Sequence, residues 1–132
     1  MFKILIVEDS AIFRKLLKET LHSRFPSMEL LEAADGGEAL QRIKATVPDL
    51  IFMDIKLPGE SGLELTKKIK NQYPNIIIII LTAYDVPEYR EAAFQSKANY
   101  FLSKGSVTRE GILKLVDSLL SDRHIDHSGP KS

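Results

Sequence analysis

With 132 residues the chain has room for one globular domain of ordinary size. Apolar residues make up 44% and charged ones 27%, and 7 Gly with 6 Pro are too few for a fibrous or low-complexity chain. The 18 basic and 18 acidic side chains cancel, which offers no general attraction for nucleic acid or anionic lipid, and with Cys at 0 there is no disulfide, thiolate zinc site or cysteine nucleophile.

Met1-Phe2-Lys3 leads directly into Ile4-Leu5-Ile6-Val7 and then Glu8-Asp9, an apolar stretch too short for a signal peptide. Ile76 to Leu81, the longest apolar run, is far shorter than the ~20 residues a membrane span needs, so a cytoplasmic location is expected. Five apolar runs read as strands: Ile4 to Val7, Leu30 to Leu31 with their flanks, Leu50 to Met53, Ile76 to Leu81 and Tyr100 to Leu102. The middle ones are apolar at consecutive positions, as in a parallel sheet covered on both faces.

Helical patterns separate them. Ile12, Leu16, Leu17, Thr20 and Leu21 form a first stripe, capped by Asp9 or Ser10 and stopped by Pro26. Ala39, Leu40 and Ile43 form a second before Pro48, and Leu63, Leu65, Thr66 and Ile69 a third between Gly62 and Pro74. Pro87 opens a fourth helix through Ala92, Ala93 and Phe94. Ile112, Leu115, Val116, Leu119 and Leu120 mark a fifth with one buried face. Strand and helix thus alternate five times, which predicts a doubly wound α/β fold, a five-stranded parallel sheet with five helices. The domain is expected over residues 1–121, with 122–132 a polar tail or linker. His124, Asp126 and His127 have metal-ligand types but no rigid element to orient them, and read as solvated.

Ligands in such folds bind beyond the carboxyl ends of the strands. There stand Glu8-Asp9 after the first strand, Asp54 after the third, Thr82 after the fourth and Lys104 past the fifth. If the first and third strands are neighbours, about 4.8 Å apart, three carboxyl groups converge. Two such charges 4 Å apart repel by about 1 kcal/mol in water and about 4 kcal/mol at an effective dielectric of 20, so the cluster calls for a cation or a proton. Oxygen ligands without His or Cys point to Mg²⁺, with Lys104 and the Thr82 hydroxyl opposite as donors to a phosphoryl group. Each residue has a plainer reading too. Glu8 and Asp9 could cap a helix, Asp54 could start a turn before Pro58-Gly59, Thr82 could simply end a strand, and Lys104 could be a solvated charge. A dinucleotide fingerprint and a phosphate-binding G-x-x-x-x-G-K-[ST] loop are both absent.

These residues resemble the receiver domains of two-component response regulators. The likeness runs from about Phe2 to Leu120 and rests on Lys3 to Ser10, on Ala34-Asp35-Gly36-Gly37-Glu38-Ala39-Leu40, and on Pro48 through Gly59 with Gly62. Leu81-Thr82-Ala83 and Tyr100-Phe101-Leu102-Ser103-Lys104 complete it. The resemblance implies a flavodoxin-like sheet of strand order 2-1-3-4-5. It implies that Asp54 is the phosphoacceptor, taking a phosphoryl group from a histidine of a sensor kinase or phosphotransfer protein. By the same likeness Asp9, Asp54 and the Lys56 backbone carbonyl would bind Mg²⁺, with Glu8 acting through a coordinated water and Thr82 and Lys104 gripping the phosphoryl oxygens. Phe101 occupies the switch-aromatic position, which would turn inward and alter a surface of the fourth helix, fifth strand and fifth helix, where such domains meet partners or form homodimers. An ordinary packing role is the plainer reading of Phe101.

Three positions depart from the family pattern. Glu8-Asp9 stands where many members have Asp-Asp, Gly105 follows Lys104 where Pro is common, and Lys97 precedes Ala98 where Gly is usual. A trans Lys104–Gly105 bond is expected, since a cis bond to a residue other than Pro costs about 2.5 to 4 kcal/mol. The Lys-Gly pair resembles receivers joined to helix-turn-helix DNA-binding domains, although twelve residues after Leu120 leave no room for one. Lys56 and Tyr84, two positions past Asp54 and Thr82, occupy places that tune the phosphoryl lifetime in the family, and since both are bulky the resemblance implies slow water access and a long-lived phosphoryl state. The main expectation is therefore a phosphorylatable switch that catalyses its own modification and turns over no metabolite. Alternatives are an unphosphorylated receiver-like interaction module, and a metal-dependent phosphatase with Asp54 as nucleophile. The latter chemistry commonly has an acid where Lys56 stands.

Overall fold

The computed structural model describes residues 1–128, with side chains described as far as Asp122. Its elements are β1 (Lys3–Val7), α1 (Ala11–Arg24), β2 (Glu29–Ala33), α2 (Gly36–Ala45), β3 (Leu50–Met53), α3 (Gly62–Gln72), β4 (Ile77–Thr82), α4 (Pro87–Gln95), β5 (Tyr100–Ser103) and α5 (Arg109–Ser128). The sheet has the order β2-β1-β3-β4-β5, and every pairing is parallel. Reversal of the winding beside β1 puts the carboxyl ends of β1 and β3 together, with Val7 paired to Met53 and Met53 to Ile80.

Consecutive apolar residues in the strands supply two cores. Leu5, Val7, Ile51, Met53, Ile78 and Ile80 face one side, where Ala39 and Ile43 of α2, Leu65 and Ile69 of α3 and Ala93 of α4 cover them. Ile4, Ile6, Leu50, Phe52, Ile79 and Leu81 face the other, against Leu17 and Leu21 of α1 and Ile112, Leu113, Val116 and Leu119 of α5. The helices start on polar caps: the Ser10 hydroxyl accepts from the Phe13 N–H (3.2 Å) and the Asp35 carboxylate from the Glu38 N–H (2.8 Å). In return Glu38 accepts from the Ala34 N–H at 2.7 Å. Gly62 opens α3 directly against the Asp54 main-chain carbonyl, and a Cβ there would collide with that backbone.

Three sequence expectations change. The buried face of α1 runs through Phe13, Leu17 and Leu21, while Ile12 is 76% and Leu16 55% exposed. Leu40 of α2 is likewise exposed. The stretch expected as a tail is helical as far as Ser128, since α5 continues over its first seven residues, 122–128; residues 129–132 lie outside the described part, as do the side chains of His124, Asp126 and His127. All peptide bonds of the described residues are trans, Lys104–Gly105 included. Lys97 carries a positive φ of 77°.

Candidate functional site

The site is assembled by strand ends. β1 delivers Glu8 and Asp9, and β3 delivers Asp54, whose N–H donates to the Val7 carbonyl at 3.1 Å. Carboxylate oxygens of Glu8, Asp9 and Asp54 lie within 4.8 Å of one another. Glu8 is 3% and Asp54 7% exposed, whereas Asp9 opens to solvent. β4 ends in Thr82, fully buried, and Lys104 follows β5 with its N–H donating to the Thr82 carbonyl at 2.8 Å.

Lys104 closes the cluster. Its ammonium donates to Glu8 Oε1 at 2.6 Å and Asp54 Oδ2 at 3.2 Å, and it sits 4.1 Å from the centre of the Phe13 ring. The second Glu8 oxygen accepts from the Ser10 N–H (2.9 Å), and Asp54 Oδ1 accepts from the Ile55 N–H (2.7 Å). Burial pushes the Glu8 carboxyl above the usual carboxylate range, more than the hydrogen bond from Lys104 pulls it down. For Lys104 burial works against the charge, but the Glu8 hydrogen bond and the Asp54 and Glu8 charges outweigh it, and the ammonium is held above its ordinary value. The Thr82 hydroxyl accepts from the Tyr84 N–H at 3.3 Å.

Sequence reasoning thus named residues that one end of the sheet brings together. Lys56 sits at the rim, exposed, its ammonium 5.1 Å from the centre of the Tyr84 ring and 5.5 Å from that of Tyr89. The hydrogen bond to Tyr89, then the nearby Tyr89 and Tyr84 oxygens, hold the Lys56 ammonium above its usual value. Phe101 is 6% exposed and packs in the core with Ala93 and Ala98, and the Arg90 guanidinium lies 4.6 Å from the centre of its ring. Four contributors escaped the sequence reading: Phe13, Arg14, Tyr89 and Arg90. Arg14 donates to the Glu8 carbonyl at 2.6 Å and pairs with Glu32, so it ties the first loop to β2. No spacing signal marks these four, because each acts across elements.

The donor set is chemically coherent. Three carboxylates with no His or Cys suit a hard divalent cation such as Mg²⁺, which would offset charge that Lys104 alone does not balance. Asp54, flanked by that cation site and by an ammonium, is consistent with a phosphoacceptor.

Comparisons with known proteins agree with this geometry. Among curated proteins, the oxygen regulatory protein NreC of Staphylococcus haemolyticus is 33% identical over 125 residues, which cover 94% of this chain and 58% of that protein. The protein-glutamate methylesterase/protein-glutamine glutaminase 1 of Syntrophus aciditrophicus is 39% identical over 110 residues, covering 81% of this chain and 31% of that protein. The chain therefore spans less than three fifths of the length of these relatives. Among solved structures, a CheY-like receiver domain protein from Methanospirillum hungatei superposes with a TM-score of 0.85 at 28% identity, covering 96% of this chain and 98% of that one. A two-component response regulator of the LuxR family from Aurantimonas sp. gives 0.80 at 30% identity, covering 91% and 85%. The response regulator receiver domain family matches residues 4–117. The chain belongs to that family, a signalling module rather than a metabolic enzyme.

Proposed function

We propose that the chain accepts a phosphoryl group on Asp54 from the phosphohistidine of a sensor kinase or phosphotransfer protein. The observation that carries this reading is the buried Asp54 carboxylate set between the Glu8–Asp9 pair and the Lys104 ammonium. One Asp54 carboxylate oxygen attacks phosphorus, the P–N bond to the donor imidazole breaks, and that imidazole takes a proton from solvent. Lys104 and the Thr82 hydroxyl bind the phosphoryl oxygens as charge gathers on them, and the Ile55 N–H holds Asp54 Oδ1 in place. Glu8, Asp9, Asp54 and the Lys56 main-chain carbonyl would hold Mg²⁺, which supplies charge neutralisation when bound. Lys104 is the group to be redirected, since it leaves Glu8 and Asp54 for the phosphoryl oxygens. Loss of the phosphoryl group to water is catalysed by the same constellation, so the domain times its own signal.

The change at Asp54 passes through Thr82 and Phe101 to the α4–β5–α5 surface, where exposed Val86, Phe94 and Tyr100 offer apolar contact to a partner or a second copy. Phe101, buried on β5 with the Arg90 guanidinium of α4 over its ring, stands between Thr82 and that surface. A cytoplasmic setting and an output in transcription fit this reading, since no described helix is long and apolar enough to cross a membrane and LuxR-family regulators are among the similar structures. The test is transfer from a phosphorylated histidine kinase domain: label should leave the kinase and appear on the chain in a Mg²⁺-dependent, hydroxylamine-sensitive form. A chain that takes no label from any donor is an unphosphorylated interaction module.

A further inference from the structure

Glu8 and Asp9, which follow β1, are joined by one peptide group, and its oxygen, the Glu8 carbonyl, accepts from Nη1 of Arg14 at 2.6 Å. The same guanidinium donates through Nε to Glu32 Oε1 at 2.9 Å, and the other Glu32 oxygen accepts from Lys18 at 2.8 Å. Glu32 lies in β2, in register with Ile6 of β1, so the far side of the guanidinium is braced on the sheet. Arg14 thus reaches from the first turn of α1 to the loop after β1, with its side chain 18% exposed. The three carboxylates of the site are not held alike. Glu8 accepts from the Ser10 N–H and from Lys104, and Asp54 from the Ile55 N–H and from Lys104. Asp9 is exposed, and among the described residues no hydrogen bond or ion pair holds its carboxylate, so the peptide before it sets its direction.

We propose that Arg14 is a positioning residue for Mg²⁺: its planar fork, braced on Glu32, fixes the Glu8–Asp9 peptide so that the Asp9 carboxylate stands toward Glu8 and Asp54 before an ion arrives. The inference rests on the reading of Glu8, Asp9 and Asp54 as the Mg²⁺ site. Hydrogen bonds that orient ligands from outside the coordination sphere govern metal affinity nearly as much as the ligands do. Charge alone makes the opposite demand. A guanidinium beside three carboxylates repels a divalent cation, so its removal would tighten binding if charge were its only influence. The two roles therefore have opposite signs, and the metal affinity tells them apart. Lysine at this position keeps the charge but cannot bridge two acceptors in one plane.

The test measures Mg²⁺ dissociation constants of the unphosphorylated parent, Arg14→Met and Arg14→Lys from the amide NMR signals of Ser10 and Ile55 during a MgCl₂ titration. Arg14→Met is expected to bind Mg²⁺ about tenfold more weakly, the low end of the range for partners that orient ligands from outside. Arg14→Lys should weaken binding as well. Loading by a small acyl phosphate, followed by intact mass, should be slowed in both variants at limiting Mg²⁺ and approach the parent rate once Mg²⁺ saturates. Affinity equal to or tighter than the parent's in either variant overturns the proposal, as does a loading defect that persists at saturating Mg²⁺. Thermal melts in chelator show whether each variant is folded, and Arg14→Lys carries the test even if Arg14→Met is unstable. A parent that binds no Mg²⁺ overturns the reading of the metal site and this inference with it, whereas a parent that binds Mg²⁺ beside variants of unaltered affinity overturns this inference alone.

Discussion

Lys104 and Glu8 stand 96 positions apart in sequence and meet at 2.6 Å between Nζ and Oε1. The same ammonium lies 3.2 Å from Asp54, so a single cation serves two buried carboxylates. Taking one partner out of such a set leaves uncompensated buried charge, which costs about 3 kcal/mol. Lys104→Met is therefore expected to lower unfolding stability by about that amount in metal-free buffer. Mg²⁺ should recover part of the loss, because a divalent ion among the carboxylates takes over the neutralising role. Urea unfolding with chelator and with Mg²⁺ checks both halves, and equal stability of variant and parent without metal contradicts the assignment.

Acid stability should report on Glu32. Its carboxylate accepts from Lys18 at 2.8 Å and from Arg14 at 2.9 Å, and the Lys18 hydrogen bond, followed by that from Arg14, holds the carboxyl below the value of 4.5 it has when unpaired. A carboxyl with a depressed folded value adds stability that is present above 4.5 and disappears as pH falls through the lower folded value. Parent and Glu32→Gln should thus differ at pH 7 and converge in acid. With the Glu32 side chain 35% exposed, solvent screening limits the neutral-pH gap to about 1 kcal/mol. Thermal melts across that range give the comparison, and a gap that widens in acid would speak against the pairing.

The end of α4 offers a gain in stability. Lys97 sits at a φ of 77°, with its N–H donating to the Phe94 carbonyl and the Ala98 N–H to the Ala93 carbonyl, each at 3.0 Å. That paired arrangement normally employs glycine, whose missing Cβ removes the left-handed penalty. Lys97→Gly is expected to raise stability by about 0.5 to 1 kcal/mol, the penalty relieved less the extra chain entropy of glycine. Lys97→Val should lower it. Denaturant midpoints decide the order of the three.

What the sequence made legible follows from which features are periodic. Ile4 to Val7, Leu50 to Met53 and Ile77 to Leu81 are apolar on both faces, and only a sheet covered on both sides uses such strands. Once the strands are placed their ends are placed, so Glu8, Asp9, Asp54, Thr82 and Lys104 could be named together before any coordinate was known. The α1 face was harder to phase. Ile12-Phe13 and Leu16-Leu17 are adjacent apolar doublets, which allow two stripes one residue apart, and packing against α5 and the sheet selects Phe13 and Leu17. The continuation of α5 over 122–128 has a polar composition that reads equally as tail. Tyr89 over Lys56 and Arg90 over Phe101 were invisible because they depend on how loops bring side chains from different elements together.

The measurement that bears most directly on the central claim is the intact mass of the chain after incubation with a small acyl phosphate, with and without Mg²⁺, beside Asp54→Asn. The account predicts a gain of one phosphoryl group that needs Mg²⁺, is absent in Asp54→Asn and is reversed by hydroxylamine. An unchanged mass in the parent, or an equal gain in Asp54→Asn, would contradict it.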